Sequence, residues 1–350
     1  MRATVIHAAG DVRLEQVPDP QVVLPTDAVV RVVASCVCGS DLWPYRGANE
    51  VTEPRRIGHE FVGVVEETGD DVQLRRGQFV VAPFVWSCGG CAPCRSGVQT
   101  SCERGGGWGG PDRDGHLVDG GQGEAVRVPR ANGTLVPVDG VDEDVEEGLL
   151  KSLLTCSDVM GTGWHAATRA GVQEGETVVV VGDGAVGLCG VLSARMKGAG
   201  RIIAMSRHAP RQAVAREFGA TDVVEARGDE GVQAVRDLTD GRGADRVLEC
   251  VGTHDAMLQA IRSARPGGTV GYVGVPHGIE LPIELMFRRN VNVAGGVAPV
   301  RAYGEALRDA VLAGDIEPGK VFDAVMPLDD VAEAYTAMDE RAAIKVMLRP

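Results

Sequence analysis

The clearest hydrophobic pattern along the chain is residues 177–197, TVVVVGDGAVGLCGVLSARMK. Four consecutive valines, Val178 to Val181, predict a strand buried on both faces, and the segment after the glycines has the length of a helix. The turn between them carries the G-x-G-x-x-G pattern, so a strand, a glycine turn and a helix are expected here. Outside such a context the same glycines would indicate only a flexible turn.

Each glycine of this turn has a separate use in dinucleotide binding. Gly182 makes the tight turn, Gly184 lets a pyrophosphate approach the backbone, and Gly187 lets the helix pack against the strand. The phosphates would lie at the N-terminus of the helix, beside Ala185 and Val186, where free N–H groups and the helix dipole favour negative charge. The pattern therefore predicts a dinucleotide site.

Two different patterns divide the chain. Between residues 155 and 290, apolar strands alternate with helices, which predicts a doubly wound parallel sheet. The strand candidates of this part centre on Val178, Ile202, Val223, Val247 and Val270. Residues 1–154 instead read as short alternating strands separated by glycine and proline, typical of a β-rich, barrel-like domain. We expect 291–350, with helices near 301–312 and 331–338 and a strand at 344–348, to rejoin that domain.

Composition narrows the class of protein. The 350 residues carry a formal charge of −14, which argues against nucleic acid or an anionic membrane surface as a partner. Neither an export signal nor a run of about 18 apolar residues is present, so a cytoplasmic location is expected. Nine cysteines in such a chain favour metal binding over a disulfide framework.

Four of these cysteines form a compact cluster within residues 86–104. Cys88, Cys91, Cys94 and Cys102 have C-x2-C-x2-C-x7-C spacing. Four thiolates on one short lobe can close a tetrahedral shell around zinc, as in structural sites. An iron–sulfur cluster is the competing interpretation, but such runs continue with x3-C-P, whereas Cys102 is followed by glutamate.

A second group of possible metal ligands is scattered along the chain. Cys38 lies in CVCGSD, His59 and Glu60 in IGHEFVG, and Asp158 in TCSDVMGTGWHAA. Taken singly, the cysteine could be a buried thiol, the histidine a core residue and the aspartate a helix cap. Together with the four-cysteine lobe, the GDGAVG turn and the closing IKVML, these motifs resemble the zinc-dependent medium-chain alcohol dehydrogenase family over essentially the whole chain.

The resemblance implies a GroES-like barrel domain, a Rossmann domain and a catalytic zinc. Cys38, His59 and Asp158 would be its protein ligands, with Asp158 where other members carry cysteine. Glu60 would lie beside the metal as an exchange ligand, and Asp41 would orient the imidazole of His59. A zinc ion with three protein ligands and one open position acts as a Lewis acid toward a bound alcohol.

The resemblance also assigns a proton relay. Ser40 occupies the position of the hydroxyl that takes the proton from the alcohol and passes it to the cofactor ribose. Several family members end this relay with a histidine, whereas this chain has Trp43 at that position. The later part of the proton route therefore differs here, and the indole is expected either to line the substrate pocket or to pack inside the domain.

The expected cofactor is NADP. Enzymes that use NAD present an acidic side chain about 20 residues after the glycine turn, but the strand RIIAM ends without one. Ser206 and Arg207 follow it, resembling the serine–arginine pair of NADP-dependent members, and a guanidinium suits a 2′-phosphate. NAD held by other contacts is the alternative. The resemblance implies further cofactor contacts at Thr162, Val251, Gly252, Gly274 and Lys345.

The combined prediction is a zinc-dependent oxidoreductase that interconverts an alcohol and an aldehyde or ketone with NADP(H), with two zinc ions per chain. A polyol or sugar-alcohol dehydrogenase with the same site is the second enzymatic hypothesis. A dinucleotide-binding regulator without turnover is the non-enzymatic one. A zinc-free reductase of the quinone type is disfavoured by the ligand set. Relatives are dimers or tetramers, so a homo-oligomer is expected.

Overall fold

The computed structural model describes all residues from Met1 to Pro350 and contains two compact units. The first unit comprises Met1–Asp158 and Pro299–Pro350, and the second comprises Val159–Ala298. The boundaries expected at 154/155 and 290/291 therefore move toward the C-terminus. The main difference concerns residues 291–298, which were expected in the first domain and lie in the second unit because a strand there extends its sheet.

The chain forms sixteen strands and twelve α-helices. The strands are β1 (Arg2–Ala8), β2 (Asp11–Gln16), β3 (Ala28–Cys36), β4 (Arg55–Arg56), β5 (Phe61–Thr68), β6 (Phe79–Ala82), β7 (Ala125–Val128), β8 (Val136–Val138), β9 (Thr177–Val181), β10 (Arg201–Met205), β11 (Asp222–Val224), β12 (Ala244–Glu249), β13 (Ala264–Tyr272), β14 (Asn292–Gly295), β15 (Ala324–Pro327) and β16 (Val346–Arg349). The helices are α1 (Leu42–Tyr45), α2 (Ala92–Arg95), α3 (Ala131–Thr134), α4 (Glu147–Thr155), α5 (Val159–Ala170), α6 (Ala185–Met196), α7 (Ala209–Glu217), α8 (Gly228–Asp237), α9 (His254–Ser263), α10 (Ile283–Arg289), α11 (Val300–Leu312) and α12 (Val331–Asp339).

The second unit is built on a six-stranded sheet in the order β11-β10-β9-β12-β13-β14, and every pairing in it is parallel. This order confirms the predicted doubly wound sheet, and all five predicted strands are present. The valines of β9 are buried at its centre, with Val178, Val179 and Val180 fully inaccessible. The strand order reverses between β9 and β12, so the glycine turn after β9 lies at the point where such sheets bind ligands.

The first unit is rich in β-structure, as the alternating pattern predicts. Strands β15, β16, β3, β5, β6 and β8 are hydrogen-bonded in that order, β7 pairs with β3, and a second sheet joins β2, β1 and β4. A buried cluster that includes Val30, Phe61, Val80 and Val126 forms one core of this unit. β16 pairs with β3 just before Cys38, so the C-terminal segment rejoins the first unit beside a predicted site residue.

No helix is both long enough and apolar enough to cross a bilayer.

Candidate functional site

The scattered ligand set is brought together inside the first unit. One ligand atom from each of Cys38, His59, Glu60 and Asp158 lies within 4.8 Å of the others. The sulfur of Cys38 is 3.8 Å from Oδ2 of Asp158, and Nε2 of His59 is 3.7 Å from the same oxygen. A thiolate, an imidazole and a carboxylate at these separations form a donor set that suits zinc.

Local structure positions each of these ligands. Cys38 follows β3 in an extended conformation, and its N–H donates to Oδ2 of Asp41 at 2.9 Å. The other oxygen of Asp41 lies 3.2 Å from Nδ1 of His59. The carboxylate therefore orients the ring so that Nε2 faces the ligand cluster, which is the arrangement that a ligating histidine needs.

Two residues that sequence reasoning missed hold Asp41 in turn. The side-chain amide of Gln122 donates to Oδ2 of Asp41 at 3.3 Å, and the buried hydroxyl of Tyr335 donates to Oε1 of Gln122 at 3.1 Å. No motif signals this chain of contacts, because its members come from three distant segments.

Ser40 lies directly at the ligand cluster. Its hydroxyl oxygen is 3.3 Å from the sulfur of Cys38 and 3.3 Å from Nε2 of His59. A group bound between these ligands would thus have a hydroxyl within hydrogen-bonding reach.

Burial and neighbouring charges shift the pKa values of His59 and Cys38 in the cluster. Burial by itself lowers the pKa of His59, but Asp41, Cys38 and Asp158 together raise it well above its ordinary value. Burial raises the pKa of Cys38, opposed by the neighbouring imidazole. A bound cation would replace the protons for which these mutually close groups compete.

Glu60 and Lys345 form a fully buried ion pair behind the cluster. Nζ of Lys345 is 2.8 Å from Oε1 of Glu60 and also donates to the carbonyl of Val37 at 3.3 Å. The two residues are 0% and 1% exposed, and the thiol of Cys36 donates to the second glutamate oxygen. The ammonium of Lys345, which was predicted to contact the cofactor, is enclosed within the first unit and bound to Glu60.

The cysteine lobe has the geometry of a four-thiolate metal site. All four sulfur atoms lie within 4.8 Å of one another, and no cysteine in the chain forms a disulfide. The sulfur of Cys91 lies 3.4 Å from that of Cys94 and 3.7 Å from that of Cys102. A tetrahedron with Zn–S bonds of about 2.3 Å requires sulfurs about 3.8 Å apart, so the lobe fits zinc closely.

Backbone groups favour the thiolate form of part of the lobe. Burial raises the pKa of Cys88, but backbone N–H groups of Gly90 and Cys91 outweigh it and lower the value to about 6. The N–H of Cys88 itself points at the sulfur of Cys102 at 3.2 Å. Thiolates, not thiols, bind metals, so the backbone favours metal binding at Cys88, whereas burial raises the pKa of Cys94 to about 12.

The glycine turn of the second unit has the shape that a pyrophosphate needs. Gly182 has a φ of +115°, and a Cβ on Gly187 would lie 2.1 Å from the carbonyl oxygen of Gly182. A Cβ on Gly184 would meet no atom within 4 Å, and no side chain caps α6, which begins with Ala185 and Val186. Open space beside an uncapped helix N-terminus fits a dinucleotide phosphate.

The structure places a carboxylate, that of Asp183, at the end of β10, although the sequence has no acidic residue directly after this strand. Ser206 is buried directly after β10, and its hydroxyl donates to Oδ2 of Asp183 at 2.8 Å. Asp183 belongs to the glycine turn, and Arg211 of α7 lies 3.7 Å from its Oδ1. Arg207 is exposed and forms no ion pair. Asp183 and Arg211 are thus further candidates that spacing alone does not indicate.

The remaining predicted cofactor residues lie at or near the same sheet. Gly252 and Val251 follow β12, and both of their N–H groups donate to Oε1 of Glu249. Gly274 follows β13, so these positions share the carboxyl edge of the sheet with the glycine turn. Thr162 lies in α5 and is 9% exposed.

A small cleft adjoins the ligand cluster of the first unit. It has a volume of about 260 Å³ and is lined by Ser40 and His59 together with Asn49, Arg55 and Trp108. Trp43 is not among its lining residues, and Trp86 is buried in the lobe with its N–H bonded to the carbonyl of Gly107. A larger cavity of about 450 Å³ contains no predicted site residue.

Comparison with known proteins identifies the family of this chain. Residues 24–140 match the model of the alcohol dehydrogenase GroES-like domain, and residues 185–310 match that of the zinc-binding dehydrogenases. A protein of Mycobacterium tuberculosis named as a zinc-binding alcohol dehydrogenase is 35% identical over 100% of this chain and 89% of its own length. The chain belongs to the zinc-dependent medium-chain alcohol dehydrogenase family.

Other members of this family are similar to the protein over its whole length. Zinc-type alcohol dehydrogenase B of Aspergillus flavus is 34% identical over 100% of this chain and 81% of its own. The structure of the alcohol dehydrogenase from Thermus sp. ATN1 superposes with a TM-score of 0.91 at 33% identity, covering 100% of this chain and 99% of that one. The fold is therefore a GroES-like domain with a Rossmann domain, as the motifs predict. Family membership supports an alcohol oxidoreductase that uses zinc and a nicotinamide dinucleotide.

Proposed function

We propose that this protein is a zinc-dependent oxidoreductase that interconverts an alcohol and its aldehyde or ketone with NADP(H). One observation carries the proposal. The donors of Cys38, His59 and Asp158 converge beside a cleft, and the hydroxyl of Ser40 lies 3.3 Å from two of them. Three ligands next to accessible space are the arrangement of a catalytic zinc, whereas a structural zinc has four protein ligands.

The roles of the first-unit residues follow from their contacts. Cys38, His59 and Asp158 would hold the catalytic zinc, and the four cysteines of the lobe the structural one. When bound, zinc lowers the pKa of an alcohol, and the nicotinamide supplies the redox couple. Ser40 would accept the alcohol proton, while Asp41, 3.2 Å from Nδ1 of His59, would keep the ring in the ligating orientation.

Glu60 is the candidate exchange ligand. It lies within the ligand cluster, but its Oε1 is bonded to Lys345 and its Oε2 to Cys36. To reach a metal it would have to exchange one of these bonds, so Lys345 restrains it.

The NADP(H) part of the proposal rests on the loop after β10. Arg207 is exposed and forms no ion pair, so its guanidinium is available for a 2′-phosphate. A zinc-binding dehydrogenase of Sinorhizobium meliloti, 27% identical with a TM-score of 0.83 over 100% of this chain and 99% of its own, was solved bound to NADP. Arg207→Asp should weaken NADPH binding far more than NADH binding in a fluorescence titration. Equal loss of both would refute the cofactor assignment.

A polyol dehydrogenase is the second candidate, and the cleft supports it. Besides Ser40 and His59, the cleft is lined by Asn49 and Arg55, residues whose polar groups can bind additional hydroxyl groups. Its volume of about 260 Å³ suits a small substrate.

The test is an activity assay on a panel of simple alcohols, vicinal diols, aldehydes and ketones. Turnover is measured from the absorbance of the reduced nicotinamide. The proposal expects turnover with NADP(H), and turnover restricted to vicinal diols would select the polyol alternative. The Cys38→Ser variant, with its fold checked by circular dichroism, should lose activity. Retained activity would rule out zinc chemistry, and no turnover by the wild type on any compound would favour a dinucleotide-binding regulator.

A homodimer or homotetramer is also proposed. Exposed apolar side chains on the second unit support it, with Phe287 83%, Val297 65% and Ile283 62% exposed. Large exposed apolar side chains that form a patch are typical of association surfaces. The cytoplasmic location stays a prediction.

A further inference from the structure

We propose that Asp183, in the second position of the glycine turn, determines how strongly this protein distinguishes NADP(H) from NAD(H). The inference rests on the proposed function, because it assumes that the second unit binds a nicotinamide dinucleotide. It concerns a side chain that neither the glycine pattern nor the serine–arginine pair assigns.

The topology explains why Asp183 reaches this position. β9 and β10 are parallel neighbours, and Val181 pairs with Met205 at their carboxyl ends. Asp183 follows Val181 by two residues and Ser206 follows Met205 directly, so the two side chains meet at the same edge of the sheet. The end of the second strand is where this fold reads the ribose 2′ group. A carboxylate is therefore present at this edge although β10 ends without one.

The contacts of Asp183 restrict the groups available to a phosphate. Its Oδ2 accepts the proton of the Ser206 hydroxyl at 2.8 Å, and Arg211 donates to its backbone carbonyl at 3.3 Å and lies 3.7 Å from its Oδ1. The side chains of Asp183 and Arg211 are only 16% and 12% exposed. The Ser206 hydroxyl and the Arg211 guanidinium both interact with Asp183 and are therefore less available to a 2′-phosphate. Arg207 is the one unpaired cation of this loop.

Charge then sets the direction of the effect. A 2′-hydroxyl can donate to a carboxylate, whereas a phosphate beside it is repelled. Asp183 thus favours the hydroxyl form and Arg207 favours the phosphate form. The wild-type protein should consequently bind both NADPH and NADH, with a smaller preference for NADPH than the serine–arginine pair alone would produce.

The experiment measures equilibrium binding of NADPH and of NADH to the zinc-loaded protein by nucleotide fluorescence, independently of turnover. Asp183→Asn keeps the shape and removes one charge, so it should raise the NADPH-to-NADH affinity ratio by about tenfold, equivalent to about 1.4 kcal/mol. Arg211→Gln leaves the carboxylate without its cationic partner and should lower the ratio.

Glu225 provides a matched control. It follows β11 at the same edge and accepts from Gln212, whose amide also bonds the Ser206 carbonyl, but the structure gives it no contact with the Ser206 hydroxyl. Glu225→Gln should change the ratio less than threefold. An equal shift in both variants, or an unchanged ratio in Asp183→Asn and Arg211→Gln, would overturn the inference while leaving the proposed function standing. Failure of the wild type to bind either nucleotide would overturn both.

Discussion

Replacing Lys345 by methionine is the sharpest test of how the interior of the first unit is held together. The side chains of Lys345 and Glu60 are 1% and 0% exposed and their charged atoms lie 2.8 Å apart. Methionine keeps much of the length and apolar surface of lysine, so the substitution mainly deletes one charge. Glu60 would remain buried with only the weak thiol donor of Cys36 on its second oxygen.

The expected loss follows from this geometry. Two unit charges 2.8 Å apart attract by about 6 kcal/mol at an effective dielectric constant of about 20, before desolvation is counted. Removing one partner of a buried pair leaves an uncompensated charge and costs about 3–5 kcal/mol. For domains of about 150–250 residues each kcal/mol shifts Tm by about 2–4 °C, so Tm should fall by about 6–20 °C.

The pair is complete at neutral pH, where the assay should be run. Burial lowers the pKa of Lys345, but Cys36 and Glu60 outweigh it and raise the value well above the ordinary 10.5. A raised lysine pKa means that the charge of Lys345 contributes fully below about pH 10.5 and is lost only as pH rises through the folded-state value. Burial raises the pKa of Glu60 as well, so the carboxylate of the pair protonates as pH falls. Thermal unfolding at pH 7.5 should be monitored by tryptophan fluorescence, with the zinc content measured in parallel. This signal reports mainly on the first unit, which holds Trp43, Trp86 and Trp108.

Three variants make the result interpretable. Lys320→Met removes a half-exposed lysine that pairs with Glu317 and should cost less than about 1 kcal/mol. Glu60→Gln should be as damaging as Lys345→Met, and the double variant should cost clearly less than the sum of the two. A loss below about 1 kcal/mol in Lys345→Met, or additivity of the two changes within about 0.5 kcal/mol, would refute the reasoning.

Three further predictions concern metals, assembly and pH. Elemental analysis should find two zinc ions per chain, with Cys102→Ser and Cys38→Ser each losing a different one; a single zinc in the wild type would mean that one site is wrongly assigned. Phe287→Asp, at a side chain 83% exposed, should reduce the mass measured by light scattering to that of a monomer, and an unchanged mass would exclude this surface from the interface. Burial raises the pKa of Asp112, but Arg127 lowers it below the ordinary 3.8, so this pair stabilises above about pH 4 and is lost as pH falls. Asp112→Asn should therefore make Tm depend less on pH below about pH 4. An unchanged dependence would contradict the proposed stabilisation by the Asp112–Arg127 pair.

Much of the fold and of the cysteine lobe could be predicted because the information is local. Cys88 and Cys102 are only 14 residues apart, so their spacing nearly determines that the sulfurs meet. The valine run of β9 and the glycines after it likewise encode a strand and a turn within a few residues. Strand β14 was not predicted, because the hydrophobic pattern of its four residues is too short to assign them to either domain.

The catalytic ligands needed both kinds of information. Cys38 and Asp158 are 120 residues apart, and only their motifs, through the resemblance, suggested that they act together. Chain spacing could not show whether their side chains converge. Lys345 illustrates the limit, since its motif could not show that its ammonium is bonded to Glu60.

By itself the sequence determined the two domain types, the four-cysteine lobe, the glycine turn and the family, because residues close along the chain share a local geometry. Only the tertiary structure decided the partners of Asp41, the burial of Lys345 and the meeting of Asp183 with Ser206. The physical reason is that these contacts depend on which strand ends lie side by side and how far each side chain reaches. Strand order and register, not chain spacing, set those distances.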